Sequence, residues 1–89
     1  MFDSQFSKEF LKSVEKLAKK DKLLASELKK KMSQIISCDE ASIEHYKNLR
    51  GALKGFKRTH VGSYVLLFSV KDKTVYFERF EHHDTVYEL

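Results

Sequence analysis

The 89-residue chain has no proline, a single cysteine and three glycines, and each scarcity narrows what it can be. A lone thiol, Cys38, can close no internal disulfide and has no second thiol with which to share a metal. It reads as a small residue near a helix end rather than a nucleophile. No apolar stretch is long enough to span a bilayer, so no membrane association is expected. The opening "MFDSQFSKEF" has neither the basic n-region nor the apolar h-region of a signal peptide, and a cytoplasmic location is expected. A Gly-rich phosphate loop, an HExxH helix and a serine or cysteine nucleophile signature are all missing. That removes the enzyme classes built on those motifs.

Acidic residues are missing from one region. Residues 45–70 carry five cations and no acid, whereas residues 1–44 carry nine lysines against eight acids and residues 71–89 three cations against five acids. The net charge of +4 therefore originates in the middle of the chain. A local positive field of this kind suits a polyanion such as nucleic acid. With 42% hydrophobic and 34% charged residues, the composition is that of an ordinary globular protein. The length fits one domain, residues 1–89, burying about 60–65% of its unfolded surface.

"FDSQF" alternates Phe2, Ser4 and Phe6 against Asp3 and Gln5, the pattern of a short strand. From Ser7 the spacing changes: Phe6, Phe10, Val14 and Leu17 form the stripe of an amphipathic helix. Asp21 has the side chain to cap a second helix, with the stripe Leu24, Leu28, Met32, Ile35. The lysine run at 29–31 lies mostly off that stripe and reads as a solvated face. Residues 37–48 show no sustained period and read as a connection with room for one helical turn. Three strands follow, at 56–61, 64–70 and 74–80, joined by short links containing Gly62 and "KDK". The middle strand is apolar on both faces and belongs inside the sheet, with helices over one side. The predicted architecture is α+β: strand, helix, helix, then a three-stranded antiparallel meander.

Period two groups Phe56, Arg58 and His60 on one strand face and Lys57, Thr59 and Val61 on the other. In the last strand it groups Arg79 with Glu81 and, if the extended backbone continues, His83, while His82 points away. Antiparallel pairing can bring the two histidine-bearing faces together. Two imidazoles with nearby cations are what RNA cleavage by its own 2′-hydroxyl requires. One group takes the hydroxyl proton, another protonates the departing 5′ oxygen, and fixed positive charge stabilises the phosphorane. Imidazole suits both proton steps because its ordinary pKa of about 6.5 lets either form exist near neutrality. A histidine on a strand is also commonly a hydrogen-bonded edge residue, and Tyr87 reads first as packing and only second as a base-stacking platform. The pair His82 and His83 raises metal ligation. Adjacent strand positions face opposite ways, however, and no cysteine or carboxylate sits at ligand spacing, so neither a metal nor another cofactor is expected.

"LRGALKGFKRTHVGSYVLLFSV" and "FERFEHHDTVYEL" carry a resemblance over nearly the full length. The chain resembles the RelE/ParE superfamily of type II toxin–antitoxin toxins, and within it the YafQ-type mRNA interferases. The shared pattern is leucine, glycine, a basic residue, an aromatic and His-Val before the apolar strand, then Phe-Glu-Arg followed by a histidine and a later aromatic. The resemblance implies a metal-independent endoribonuclease that cuts mRNA on the ribosome and leaves a 2′,3′-cyclic phosphate. His83 matches the principal acid or base, His60 the histidine of the earlier strand, Arg79 the last-strand arginine, Tyr87 the terminal aromatic and Lys54 a basic loop residue. Lys47 stands where relatives carry a histidine, with His45 nearby, and Ser63 where they carry an aspartate. Val65 stands where the RelE branch has an arginine. With Lys47, Lys54, Lys57, Arg58 and Tyr87 expected to hold RNA phosphate or bases, the implied partners are ribosome, mRNA and a cognate antitoxin, the last in a complex that can be heterotetrameric. Two other readings share the fold: a ParE-like inhibitor of DNA gyrase without nuclease chemistry, and an inactive relative that only binds its antitoxin.

Overall fold

The computed structural model describes residues 1–86. Its order is β1 (Asp3–Phe6), α1 (Lys8–Lys20), α2 (Lys22–Ile36), α3 (Glu40–Ile43), β2 (Lys47–Asn48), a 3-10 turn (Gly51–Leu53), β3 (Lys57–Val61), β4 (Tyr64–Lys71) and β5 (Thr74–His82). The expected α+β arrangement is present. Two elements exceed the sequence reading: α3 fills the room left for a helical turn, and β2 lies inside what read as a connection.

Side-chain caps set the helix boundaries. Ser7 Oγ accepts the Phe10 N–H at 3.0 Å to start α1, and Asp21 Oδ1 accepts the Leu24 N–H at 3.0 Å to start α2. Asp21 also ends α1, its own N–H donating to Leu17 O at 2.8 Å. Asp39 caps α3, and the backbone N–H of Ser42 pointing at its carboxylate holds that carboxyl below its ordinary pKa. Among the described residues no helix is long and apolar enough to cross a membrane.

The five strands run in the order β1-β5-β4-β3-β2. The three long strands form the antiparallel meander, and β4 is its inner member. Turn chemistry fixes the register. Asp72 and Lys73 both have positive φ, as a two-residue type I′ hairpin loop requires. Gly62 opens the β3–β4 loop at φ +60°, a conformation that strains any residue with a Cβ. β1 adds to the edge of β5 in parallel, a pairing across α1 and α2 that no local pattern announces.

One face of the sheet packs on the helices. Phe10, Leu17, Leu28 and Ile35 meet Leu66, Phe68, Val75, Phe77 and Phe80 there. Phe77 is stacked against Phe6 and Phe10, with ring centroids at 5.8 and 5.7 Å, and also touches Phe68. The opposite face carries a smaller cluster, Val65 and Leu67 under Leu49 and Val86. β4 is therefore buried from both sides.

A bulge at Glu78 interrupts β5, since Phe68 faces Phe77 while Leu67 faces Arg79. Strict alternation from Val75 and Phe77 would have sent Arg79 into the helix-side core. The extra residue reverses the phase, keeping Phe80 in that core and turning Arg79 outward. The Ser7 hydroxyl donates to the Glu78 carbonyl at 2.6 Å, so the cap of α1 also occupies a backbone acceptor at the bulge.

Truncating Phe77, which is completely buried, is expected to cost about 3–5 kcal/mol in chemical denaturation. A loss below about 1 kcal/mol would contradict its place at the centre of the aromatic stack.

Candidate functional site

Cross-strand partners share a face, so the register assembles a surface from residues far apart in sequence. Lys47 on β2 pairs with Arg58 on β3, Arg58 with Leu67 on β4, and Leu67 with Arg79 on β5. That row places three cations on the face away from the helices. The next row is His60, Val65 and Glu81. Beyond it, where the β3–β4 hairpin closes, the His83 N–H donates to Ser63 O at 3.0 Å. With strands about 4.8 Å apart, the backbones at His60 and Glu81 lie about 10 Å from one another across β4, and His83 is two residues beyond Glu81.

The two imidazoles are held differently. Arg58 Nη1 lies 3.1 Å from His60 Nε2, and a guanidinium can only donate, so Nε2 is the acceptor in this contact. His83 Nδ1 lies 3.1 Å from the Ser63 carbonyl oxygen, which can only accept, so Nδ1 carries the hydrogen. The other nitrogen, Nε2, lies 3.0 Å from Asp84 Oδ1. Both nitrogens of His83 thus face oxygen acceptors.

Arg79 pairs with Glu81 at 3.4 Å, an ion pair about one-third exposed on each side. Part of the positive charge of the face is offset there. An open groove of about 580 Å³ is lined by Lys47, Asn48, Leu49, Arg50 and Arg58 at the β2 end. Arg50 was absent from the predicted phosphate contacts, although its place in the acid-free segment was a usable signal. Lys54 lies exposed in the loop after the 3-10 turn. Tyr87, expected to stack or pack near the C-terminus, lies outside the described residues.

Two expectations need correction. Lys57, expected to hold phosphate, is 6% exposed, with Nζ donating to Asn48 at 2.9 Å and facing Glu44 at 3.4 Å. Its strand phase turns it from the row of Arg58, and its ammonium ties β3 to the segment before it. His82 does point to the helix side, edge-on to Tyr64, but the rule that adjacent residues diverge fails at His83. β5 ends at His82, the chain turns, and the two rings come within 4.5 Å of one another. Asp84, which sequence spacing passed over, reaches both of them, at 3.4 Å from His82 Nδ1 and 3.0 Å from His83 Nε2.

This sheet, with α1 and α2 on one face and a basic, histidine-bearing surface on the other, has the RelE-like fold. The sequence model of the family described as "ParE toxin of type II toxin-antitoxin system, parDE" matches residues 5–87, and the chain belongs to that family. Among relatives, the candidate toxin RelE4 of Methanocaldococcus jannaschii is 40% identical over 91 residues, covering 99% of this chain and 93% of that protein. The crystal structure of YafQ from E. coli superposes with a TM-score of 0.78 at 28% identity, covering 98% of this chain and 99% of that one. YafQ in its complex with DinJ gives a TM-score of 0.76 at 26% identity and the same coverage. Within the superfamily the chain is YafQ-like.

Replacing Lys57 by methionine is expected to lower stability by about 1–2 kcal/mol, because its donated hydrogen bonds are lost. Binding of a single-stranded RNA by the folded variant should remain, as measured by fluorescence anisotropy. Abolished binding in a folded Lys57→Met chain would show that Lys57 does hold phosphate.

Proposed function

We propose that the protein is a ribosome-dependent endoribonuclease of a toxin–antitoxin pair, cutting mRNA through attack of the 2′-hydroxyl on the adjacent phosphate. The observation that carries this reading is the pair of differently held imidazoles, His60 and His83, bracketing a strand beside Arg58 and Arg79. An RNA phosphate entering the face would take up the Arg58 guanidinium and so release the His60 Nε2 lone pair. His60 is then positioned as the base that removes the 2′-hydroxyl proton. His83, whose two ring nitrogens both face oxygen acceptors, is the acid that protonates the departing 5′ oxygen. Arg58 and Arg79 stabilise charge on the phosphorane, which is where fixed cations contribute most. The products are a 2′,3′-cyclic phosphate and a 5′-hydroxyl, and no metal takes part.

Lys47 and Arg50 extend the cationic surface along the groove, where they would follow the RNA backbone rather than read bases. A cognate antitoxin is the expected protein partner, by analogy with the DinJ–YafQ complex. The gyrase reading follows from the ParE name of the family. It has no use for two histidines and two arginines on one face, which is why the nuclease is preferred.

Induction of the wild-type chain and of His83→Ala in cells, with primer extension on an abundant message and a parallel gyrase supercoiling assay, separates the readings. Cuts within translated codons are expected from the wild type. The variant should lose about 10²- to 10⁴-fold in cleavage. Intact message with lost supercoiling would replace this reading with gyrase inhibition, and the absence of growth arrest would favour an inactive relative.

Ribosome binding should weaken steeply with salt, because counterions are released from the RNA backbone. Arg58→Ala should reduce the slope of log K against log salt by about one. Affinity that does not respond to salt would remove the backbone-contact part of the reading.

A further inference from the structure

We propose that His82, His83 and Asp84 form a binding site for one divalent transition-metal ion of the Zn²⁺ class. Three consecutive residues of a continuing strand could not do this. The site exists because β5 stops at His82 and the chain reverses, with the N–H groups of Thr85 and Val86 both donating to the His82 carbonyl, at 3.0 and 3.1 Å. One ligand atom from each of the three side chains then lies within 4.8 Å of the other two.

The spacings suit the ion. Bonds of about 2.0–2.1 Å to a tetrahedral centre hold neighbouring ligand atoms roughly 3.3–3.4 Å apart. Here Asp84 sets one carboxylate oxygen against each ring, Oδ1 at 3.0 Å from His83 Nε2 and Oδ2 at 3.4 Å from His82 Nδ1, so the carboxylate already spans the two imidazoles. Gathering the three ligand atoms on one ion takes shifts of the partly exposed His82 ring and the exposed Asp84 carboxylate, with His83 staying on Ser63. An independent feature supports ligation through His83: its Nδ1 is fixed on the Ser63 carbonyl oxygen at 3.1 Å. Metal-bound histidines are oriented by such an outer hydrogen bond, which leaves Nε2 for the ion. The ion would sit between Nε2 and the Asp84 carboxylate. At His82, ligation through Nδ1 exchanges the bond donated by the Asp84 N–H at 3.2 Å for a metal bond.

Two imidazole nitrogens and one carboxylate, without a thiolate, suit Zn²⁺, Co²⁺, Ni²⁺ or Cu²⁺ rather than Mg²⁺ or Ca²⁺. The consequence rests on the proposed nuclease reading. The ion occupies the His83 nitrogen that would donate the proton to the leaving oxygen, so it blocks cleavage and takes no part in it.

The test titrates the untagged chain with Zn²⁺ in competition with a chromophoric chelator, with far-UV circular dichroism confirming that each variant is folded. The wild type should bind one equivalent. His82→Ala and Asp84→Ala should each weaken binding by more than the ~10- to 100-fold that loss of an outer partner costs. His45→Ala should leave it unchanged. No binding by the wild type, undiminished binding by His82→Ala and Asp84→Ala, or loss of binding in His45→Ala would each overturn the site. The second arm adds Zn²⁺ to a cleavage reaction. Loss of cleavage that a chelator restores supports the block, and full cleavage by the metal-saturated chain overturns it. A metal-free chain that cuts nothing overturns the nuclease reading and the block with it, while the binding result stands.

Discussion

Everything in this fold follows from the burial of β4 on both faces. Val65, Leu66, Leu67 and Phe68 are completely removed from solvent, although their side chains point alternately to opposite sides. A strand in that position needs two covers. The helices supply one over Leu66 and Phe68. Leu49 and Val86 supply the other over Val65 and Leu67. The second cover is small, which leaves the flanking positions of β3 and β5 on that face available to charged and titratable side chains. The site is therefore the margin of a hydrophobic patch: Arg58 and His60 lie on one side of β4, Arg79 and Glu81 on the other.

The bulge at Glu78 connects this core to the chemistry. Without it, the alternation that buries Val75 and Phe77 would carry Arg79 into the same core, where an unpaired guanidinium is costly. One extra residue serves both requirements, and the Ser7 hydroxyl that accepts from the first turn of α1 also donates to the Glu78 carbonyl. The N-terminal helix and the outward aim of Arg79 thus share a single hydroxyl group.

Where the sequence was legible, the determinant was local. Phe10, Val14 and Leu17 mark α1 by spacing alone, Asp21 marks the break between helices by its capping chemistry, and the unbroken apolar run at 64–70 marks the inner strand. The parallel pairing of β1 with β5 was not legible, because nothing in "FDSQF" specifies a partner some 70 residues away. The burial of Lys57 was hidden by its charge and depends on Asn48 and Glu44 arriving through the loop before it. At the site, strand alternation correctly grouped Arg58 with His60 and Arg79 with Glu81. It failed at His82 and His83, because alternation holds only while the strand continues, and the turn that brings Asp84 onto both rings is a property of the chain end. Family resemblance pointed to His60, Arg79 and His83, whereas the contacts that distinguish the two imidazoles came only from the three-dimensional arrangement.

The central claim is that this surface cleaves RNA by acid–base chemistry at two imidazoles. The most direct measurement incubates the purified chain with purified ribosomes translating a defined message and determines the chemistry of the new 3′ ends. The account predicts fragments ending in a 2′,3′-cyclic phosphate, formed only when the message occupies the ribosome. Fragments ending in a 3′-hydroxyl, or a message left whole on the translating ribosome, would contradict it.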